Sequence, residues 1–448
     1  MPINEHATVF TYGTAGNDTI LAEYAFGDLI DGLAGDDVIT GLDGGDVLLG
    51  NSGRDTLYGM GGNDTLDGGA GADRLYGGWG DDSLHPDSGG IANDYVDGGD
   101  GIDTIDYSTA PVTTRGVTVN LGLTAAQDTK GAGKDTILNV ENTVGTFLAD
   151  TITGNAFANV LSGFNGNDTL SGLDGHDQLF GGAGNDKLLG GLGNDMMISD
   201  NDGIGNDVID GGSGIDTVDY IRSAVTSGVS VDLNLTTAQN TGGAGLDTIL
   251  NVEQVIGSRF NDVITGNAAD NWLQGNQGSD TISGGAGNDM LFAGAGDFGT
   301  VNTLDGGLGD DKLSGGSGAD TLTGGSGNDR LMGGQGTDSL SGGAGADLFY
   351  FAGSDSNPAA ADTILDYNGV EDDIVVQSFM LTGTATFIGS DAFTASGHTE
   401  YRVTEAAGVQ RLEIDFAGDG FNNGDTVIQV IGTAISAADI TFVTSFLF

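Results

Sequence analysis

The segment GGAGNDKLL, Gly181 to Leu189, reads as a six-residue turn followed by a three-residue strand. Close copies stand elsewhere: GLAGDDVIT from Gly32, GFNGNDTLS from Gly163 and GGSGNDRLM from Gly324. A unit of about nine residues recurs roughly two dozen times between Gly13 and Tyr350. Its first half is glycine-rich because the chain must reverse there, and glycine alone takes positive φ without a Cβ penalty. Its eighth position is aliphatic, as at Ile39, Leu48, Leu57, Leu66, Leu75, Leu170, Leu188, Leu322 and Leu331. Such a residue points inward from a short strand while its neighbours point out. Stacked over many repeats, one large side chain per unit makes a thin continuous core.

The sixth position carries the chemistry. It is Asp at Asp37, Asp46, Asp55, Asp64, Asp73 and Asp82, at Asp168, Asp177, Asp186 and Asp195, and at Asp311, Asp320, Asp329, Asp338 and Asp347. Less regular copies add Asp18, Asp94, Asp103, Asp135, Asp150, Asp207, Asp216, Asp247, Asp262, Asp280 and Asp289 as candidate metal ligands. If two units make one coil, Asp residues eighteen apart lie in neighbouring coils, about 4.8 Å from each other. Two carboxylates about 5 Å apart repel by roughly 3 kcal/mol at an effective dielectric near 20. Repeated over many coils, this exceeds a typical net stability of about 5–15 kcal/mol. The coils therefore need a cation between them.

Composition says which cation. The 448 residues include 84 Gly, no Cys, 12 Lys and Arg against 65 Asp and Glu, and a formal net charge of -53. That balance alone would suggest disorder, and the repeat is what argues for order. Nucleic acid and anionic membrane surfaces are excluded as partners because both need basic residues. Oxygen-rich, thiol-free chemistry with scattered His6, His85, His176 and His398 suits calcium and not zinc or copper. Both His85 and His176 replace single residues within repeats and are expected in exposed structural roles. No run of about 18 apolar residues predicts a membrane span. The start, MPINEHATVF, lacks the basic and apolar regions of a cleaved signal peptide. Absence of cysteine fits a chain exported unfolded.

The pattern G-G-x-G-x-D-x-(aliphatic)-x resembles the RTX repeats of Gram-negative secreted toxins, proteases and lipases, over about three quarters of the chain. The resemblance implies an all-β fold, a right-handed parallel β-roll. Calcium would sit between successive turns, held by the sixth-position carboxylates and by backbone carbonyls of the glycine-rich turns. It also implies a secreted protein that folds on calcium outside the cell.

The register breaks near Pro86, Asp200 and Phe298 and, more extensively, at Tyr107 and Tyr220. The stretches from Gly98 and from Gly211 resemble each other, a duplication of roughly 112 residues laid over the short repeat. Within it, Val117 to Leu121 and Val229 to Leu233 alternate as half-buried strands do. Asn159 and Asn271 place a neutral amide where Asp is expected, and those rungs should hold calcium less well. After Phe351 the repeats stop. GADLFYF (345–351), ADTILDY (361–367) and LEIDFAGDG (412–420) resemble the C-terminal module of serralysin-type proteases, which caps the roll and carries a type I secretion signal. The loop Asn368 to Asp373 and the ending TSFLF depart from that module. This divides the chain into an N-terminal roll (1–106), two long repeats (107–219 and 220–350) and a small C-terminal capping β-domain (351–448).

Neither HExxH nor GxSxG occurs, and the repeat accounts for acidic pairs such as Asp36-Asp37, so no catalysis is expected. Two readings follow: a soluble extracellular calcium-binding protein, or a self-assembling structural protein of a surface layer, filament or adhesive matrix. Type I secretion machinery is the expected partner during export.

Overall fold

The computed structural model describes residues 10–22, 27–112, 114–200, 205–223, 225–294, 299–352, 360–377, 385–387, 393, 399–416 and 426–443. His6, His398, the break at Phe298, residues 417–420 and the ending TSFLF lie outside the described residues. Two compact units are formed, Met1–Val218 with Ala244–Val252, and Asp219–Gly243 with Glu253–Phe448.

In the first unit every coil contributes two strands to two parallel ladders. One runs through Val38–Asp43, Thr56–Gly61, Arg74–Trp79, Tyr95–Asp100 and Gly133–Leu138, pairing Ile39 with Leu57, Leu57 with Leu75, Leu75 with Val96 and Val96 with Ile137. The other runs through Leu29–Asp31, Val47–Leu49, Thr65–Asp67, Ser83–His85 and Thr104–Asp106. Two nonapeptides thus make one coil, as the spacing predicts. The eighth-position side chains Ile39, Leu48, Leu57, Leu66 and Leu75 are all 0% exposed, and they stack into the core. A strand at Thr118–Asn120 opens a second stack that continues through Thr151–Thr153, Thr169–Asp174, Lys187–Leu192, Val208–Ser213 and Gly245–Leu250.

The second unit repeats the plan. Its ladders run from Ser230–Asp232 through Val263–Thr265, Thr281–Ala286, Thr303–Leu308, Thr321–Ser326 and Ser339–Ala344, and from Gln254–Ile256 to Leu348–Ala352.

The first excursion is a hairpin that rejoins the stack. Gln127–Lys130 turns back antiparallel on Gly133–Leu138, and Val117 and Val119 are buried, as their alternation predicts. Tyr107 and Tyr220, where the register breaks, are both fully buried.

The sequence period ends near Phe351, but the ladder does not. Asp362–Tyr367 pairs in parallel with Ser339–Ala344, and Asp373–Gln377 with Leu348–Ala352. Beyond them Glu400–Ala406, Val409–Asp415 and Thr426–Gly432 form an antiparallel meander, and Thr426–Gly432 pairs with Asp362–Tyr367. The C-terminal segment is therefore a β-structure built directly onto the last coil.

Candidate metal centre

The glycine-rich half of each repeat turns the chain so that the sixth-position Asp points inward. Its backbone N–H donates to Oδ1 of the Asp one coil further on. In the first unit one such relay runs Asp18, Asp37, Asp55, Asp73, Asp94, Asp135, at 2.7–2.9 Å. A second runs Asp28, Asp46, Asp64, Asp82, Asp103 and ends on Glu141 Oε2. Later coils carry Asp150, Asp168, Asp186, Asp207, Asp247 and Asn159, Asp177, Asp195, Asp216. In the second unit the relays are Asp262, Asp280, Asn302, Asp320, Asp338, Asp362 and Asn271, Asp289, Asp311, Asp329, Asp347, Asp372. Every Asp named from the sequence as a candidate metal ligand stands in one of these columns.

The second carboxylate oxygen is what matters for a metal. Oδ2 of Asp37, Asp55, Asp64, Asp73, Asp82, Asp103, Asp168, Asp177 and Asp195 is buried with no hydrogen-bond partner among the described residues. In the second unit the same holds for Asp289, Asp311, Asp320, Asp329 and Asp347. A buried carboxylate oxygen without a donor is costly, since each such group forfeits its hydration. The Lys and Arg ion pairs among the described residues lie elsewhere: Lys130 pairs with Asp128, Arg222 with Asp219, and Arg402 and Arg411 with Glu413.

Backbone oxygens converge on the same spaces. A Cβ built on Gly315 would lie 2.7 Å from Asp320 Oδ2 and 2.6 Å from the Gly333 carbonyl oxygen of the next coil. At Gly50 the corresponding neighbours are Asp55 Oδ2 at 2.6 Å and the Gly68 oxygen at 2.7 Å. First-position glycine is thus needed to leave room between a carboxylate and a carbonyl. Hard oxygen donors lining a small cradle are what calcium takes, so the residues fit that ion. Burial first, and then the neighbouring charge of the same column, push Asp73, Asp82 and Asp311 up to about 7 and Asp168 up to about 8, against the backbone hydrogen bond that each accepts.

Not every rung has this character. Asp150 Oδ2 accepts from Thr146 N–H at 2.6 Å, and its Oδ1 from the Thr146 hydroxyl at 3.0 Å and Val117 N–H at 2.6 Å. Asp262 is satisfied the same way by Ser258 and Val229, and Asp18 by Thr14. Asn159 accepts from Asn155 N–H and donates to the Glu141 carbonyl; Asn271 does likewise with Asn267 and Glu253. A hydroxyl or amide four residues upstream completes these rungs from within the chain.

Sequence reading missed several column members. Asp28, Asp362 and Asp372 continue the relays although their turns have lost the glycine pattern; the surviving signal is the triplet Asp-x-aliphatic, as in Asp362-Thr-Ile364 and Asp372-Asp-Ile374. Asn302 and Glu141 take Asp positions by hydrogen bonding alone. It also missed the fifth position, whose side chain accepts from the N–H of the following coil: Arg54 to Asp36 at 2.9 Å, Asn185 to Asn167 at 2.9 Å. His176 occupies this position and accepts from Asn194 N–H at 2.8 Å through Nδ1, an exposed structural role as expected. Asp87, in the break at Pro86, is a further buried acid; burial, and then the charges of Asp94 and Asp135, hold its carboxyl well above the usual range.

The fold and its carboxylate columns define a calcium-binding repeat protein. The RTX calcium-binding nonapeptide repeat family matches residues 24–57, 49–84, 88–105, 144–179, 162–197, 201–218, 252–273, 265–297, 299–331 and 323–355. These matches span more than half of the chain, which belongs to that family. No curated protein matches it. Among solved structures, the AlgE6R3 subunit of the Azotobacter vinelandii mannuronan C5-epimerase is 29% identical, with a TM-score of 0.24, over 33% of this chain and 80% of its own. The AlgE6R2 subunit of the same enzyme is 25% identical, with a TM-score of 0.18, over 41% and 95%. Extracellular lipase LipA from Serratia marcescens is 17% identical, with a TM-score of 0.15, over 65% of this chain and 40% of its own.

Proposed function

We propose that this RTX protein is a secreted, non-enzymatic calcium-binding protein that folds when calcium enters between its coils outside the cell. The observation that carries the reading is the row of buried, unpartnered Oδ2 atoms, most of them sharing a cradle with a carbonyl of the next coil. Without a cation those oxygens repel along the column and lack donors. Inside the producing cell, where calcium is scarce, the chain stays open and suits a type I export channel; outside, the ion completes each rung. Asp18, Asp150, Asp262, Asn159 and Asn271 are satisfied from within the chain and stay free of metal, while the remaining Asp columns load.

The test is circular dichroism of the purified chain at low ionic strength. In chelator it should be largely disordered, and it should become β-rich and compact on adding about 0.1–1 mM calcium, the range of extracellular modules. Identical spectra with and without chelator would overturn the reading. Sedimentation in millimolar calcium separates a soluble binder from a self-assembling surface layer or matrix.

A further inference from the structure

Asp87 stands outside the repeat register, in the turn that interrupts it, yet its side chain is 1% exposed. Its Oδ1 accepts from Ala92 N–H at 2.9 Å, and its Oδ2 is buried with no hydrogen-bond partner. Asp94 and Asp135 are successive members of one column, with Asp94 N–H donating to Asp135 Oδ1 at 2.9 Å. Asp94 Oδ2 is likewise buried and unpartnered. One carboxylate oxygen from each of the three lies within 4.8 Å of the other two. Asp135 Oδ2 is oriented by the Tyr107 hydroxyl at 3.1 Å and the Thr129 hydroxyl at 2.9 Å.

We propose that Asp87, Asp94 and Asp135 bind one calcium ion in a three-carboxylate site, in which a residue from outside the columns joins two column members. A rung offers carboxylates only from the repeat columns; here a third is supplied by a register break. Calcium affinity rises with ligand charge and with rigidity of the site. This site has both: three backbone N–H groups and two hydroxyls hold its carboxylates, and Asp135, though its own oxygens are engaged, faces the Oδ2 atoms of Asp87 and Asp94, which have no donor among the described residues. It is therefore the tightest site of the first stack and the last to empty. It also ties the excursion to the roll, since Tyr107 begins the excursion and Thr129 lies on its returning strand. The duplication carries the pattern forward: Asp200, Asp207 and Asp247 stand at the matching sequence positions, and Asp207 N–H donates to Asp247 Oδ1 at the same 2.9 Å.

The proposal rests on calcium loading of the columns, and the experiment separates the two. Crystals of the full chain grown in calcium and soaked in terbium should show an anomalous peak within coordination distance of all three carboxylates, beside peaks along the columns. Column peaks without a peak at Asp87 would overturn this site alone, leaving a proton shared between Asp87 and Asp94; a metal-free column would overturn the calcium reading with it. In solution, equilibrium dialysis at the lowest calcium that leaves any ion bound should show Asp87→Asn holding one ion fewer than the wild type. An unchanged count would remove Asp87 as a ligand.

Discussion

Asp37 N–H donates to Oδ1 of Asp55 at 2.7 Å, so the backbone of one coil aims the carboxylate of the next. One residue earlier the direction reverses, with Arg54 N–H donating back to Asp36 Oδ1. Adjacent residues thus grip opposite neighbours, and each carboxylate arrives at the cradle already oriented, with one oxygen engaged and the other presented to an ion. Such preorganisation lowers the ordering cost of binding.

Gly315→Ala should abolish calcium loading of its rung without touching a carboxylate, because the new Cβ would fill the space between Asp320 Oδ2 and the Gly333 oxygen. Calcium titration followed by circular dichroism should show a higher midpoint and a smaller bound count. Gly16→Ala is the control, since its Cβ would meet only Thr14 Oγ1 at 4.0 Å. Equal midpoints for the two variants would contradict the cradle.

Removing the hydroxyl that completes an opening rung should destabilise it in calcium and chelator alike. Thr146→Val strips Asp150 of one donor and should cost about 1–3 kcal/mol, the usual penalty of a buried group left short of a partner. Hydrogen exchange at Asp150 and Thr151 should rise while the later coils stay protected. A variant indistinguishable from wild type would show that Asp150 depends on metal instead.

Acid should partly replace calcium. The folded-state carboxyls of Asp73, Asp82, Asp168 and Asp311 sit above the ordinary value of 3.8, so in the metal-free chain the folded form binds more protons than the unfolded one. Stability is then fully present below about pH 4 and is lost as pH rises through about 7 to 8. The calcium-free chain should show more β-structure at pH 5 than at pH 8, and calcium binding near pH 6 should release protons, read by calorimetry in buffers of different ionisation enthalpy. Proton release that is absent at pH 6 would count against raised carboxyls in the columns.

Deleting residues 378–448 should stop export through a type I system. The deletion keeps Asp362 and Asp372, the last members of both relays, so calcium should still fold the coils. Efficient secretion of the truncated chain would place the signal elsewhere.

Much of the site was legible because turn chemistry repeats. The Gly-x-Asp spacing announces the columns, and Ile39, Leu57 and Leu75 announce the ladder that buries them. What escaped has no local signature. Asp87 reaches its partners only through the fold, with Asp135 arriving from beyond the excursion. Asp362 and Asp372 lost their turn glycines but kept the strand that places them. Glu141 and Asn302 show that a column position is defined by the donor that points at it, and side chains of other types can answer that donor.

The pairs Thr146–Asp150 and Ser258–Asp262 stand at corresponding places within the two duplicated stretches, and each heads a relay. A relay that begins with a carboxylate satisfied by its own stretch needs no carboxylate column before it. A stretch that carries such a start can be copied in one event with the head of its own relay intact. The lineage of this protein could lengthen in long steps, with selection acting afterwards on the ions each new block holds.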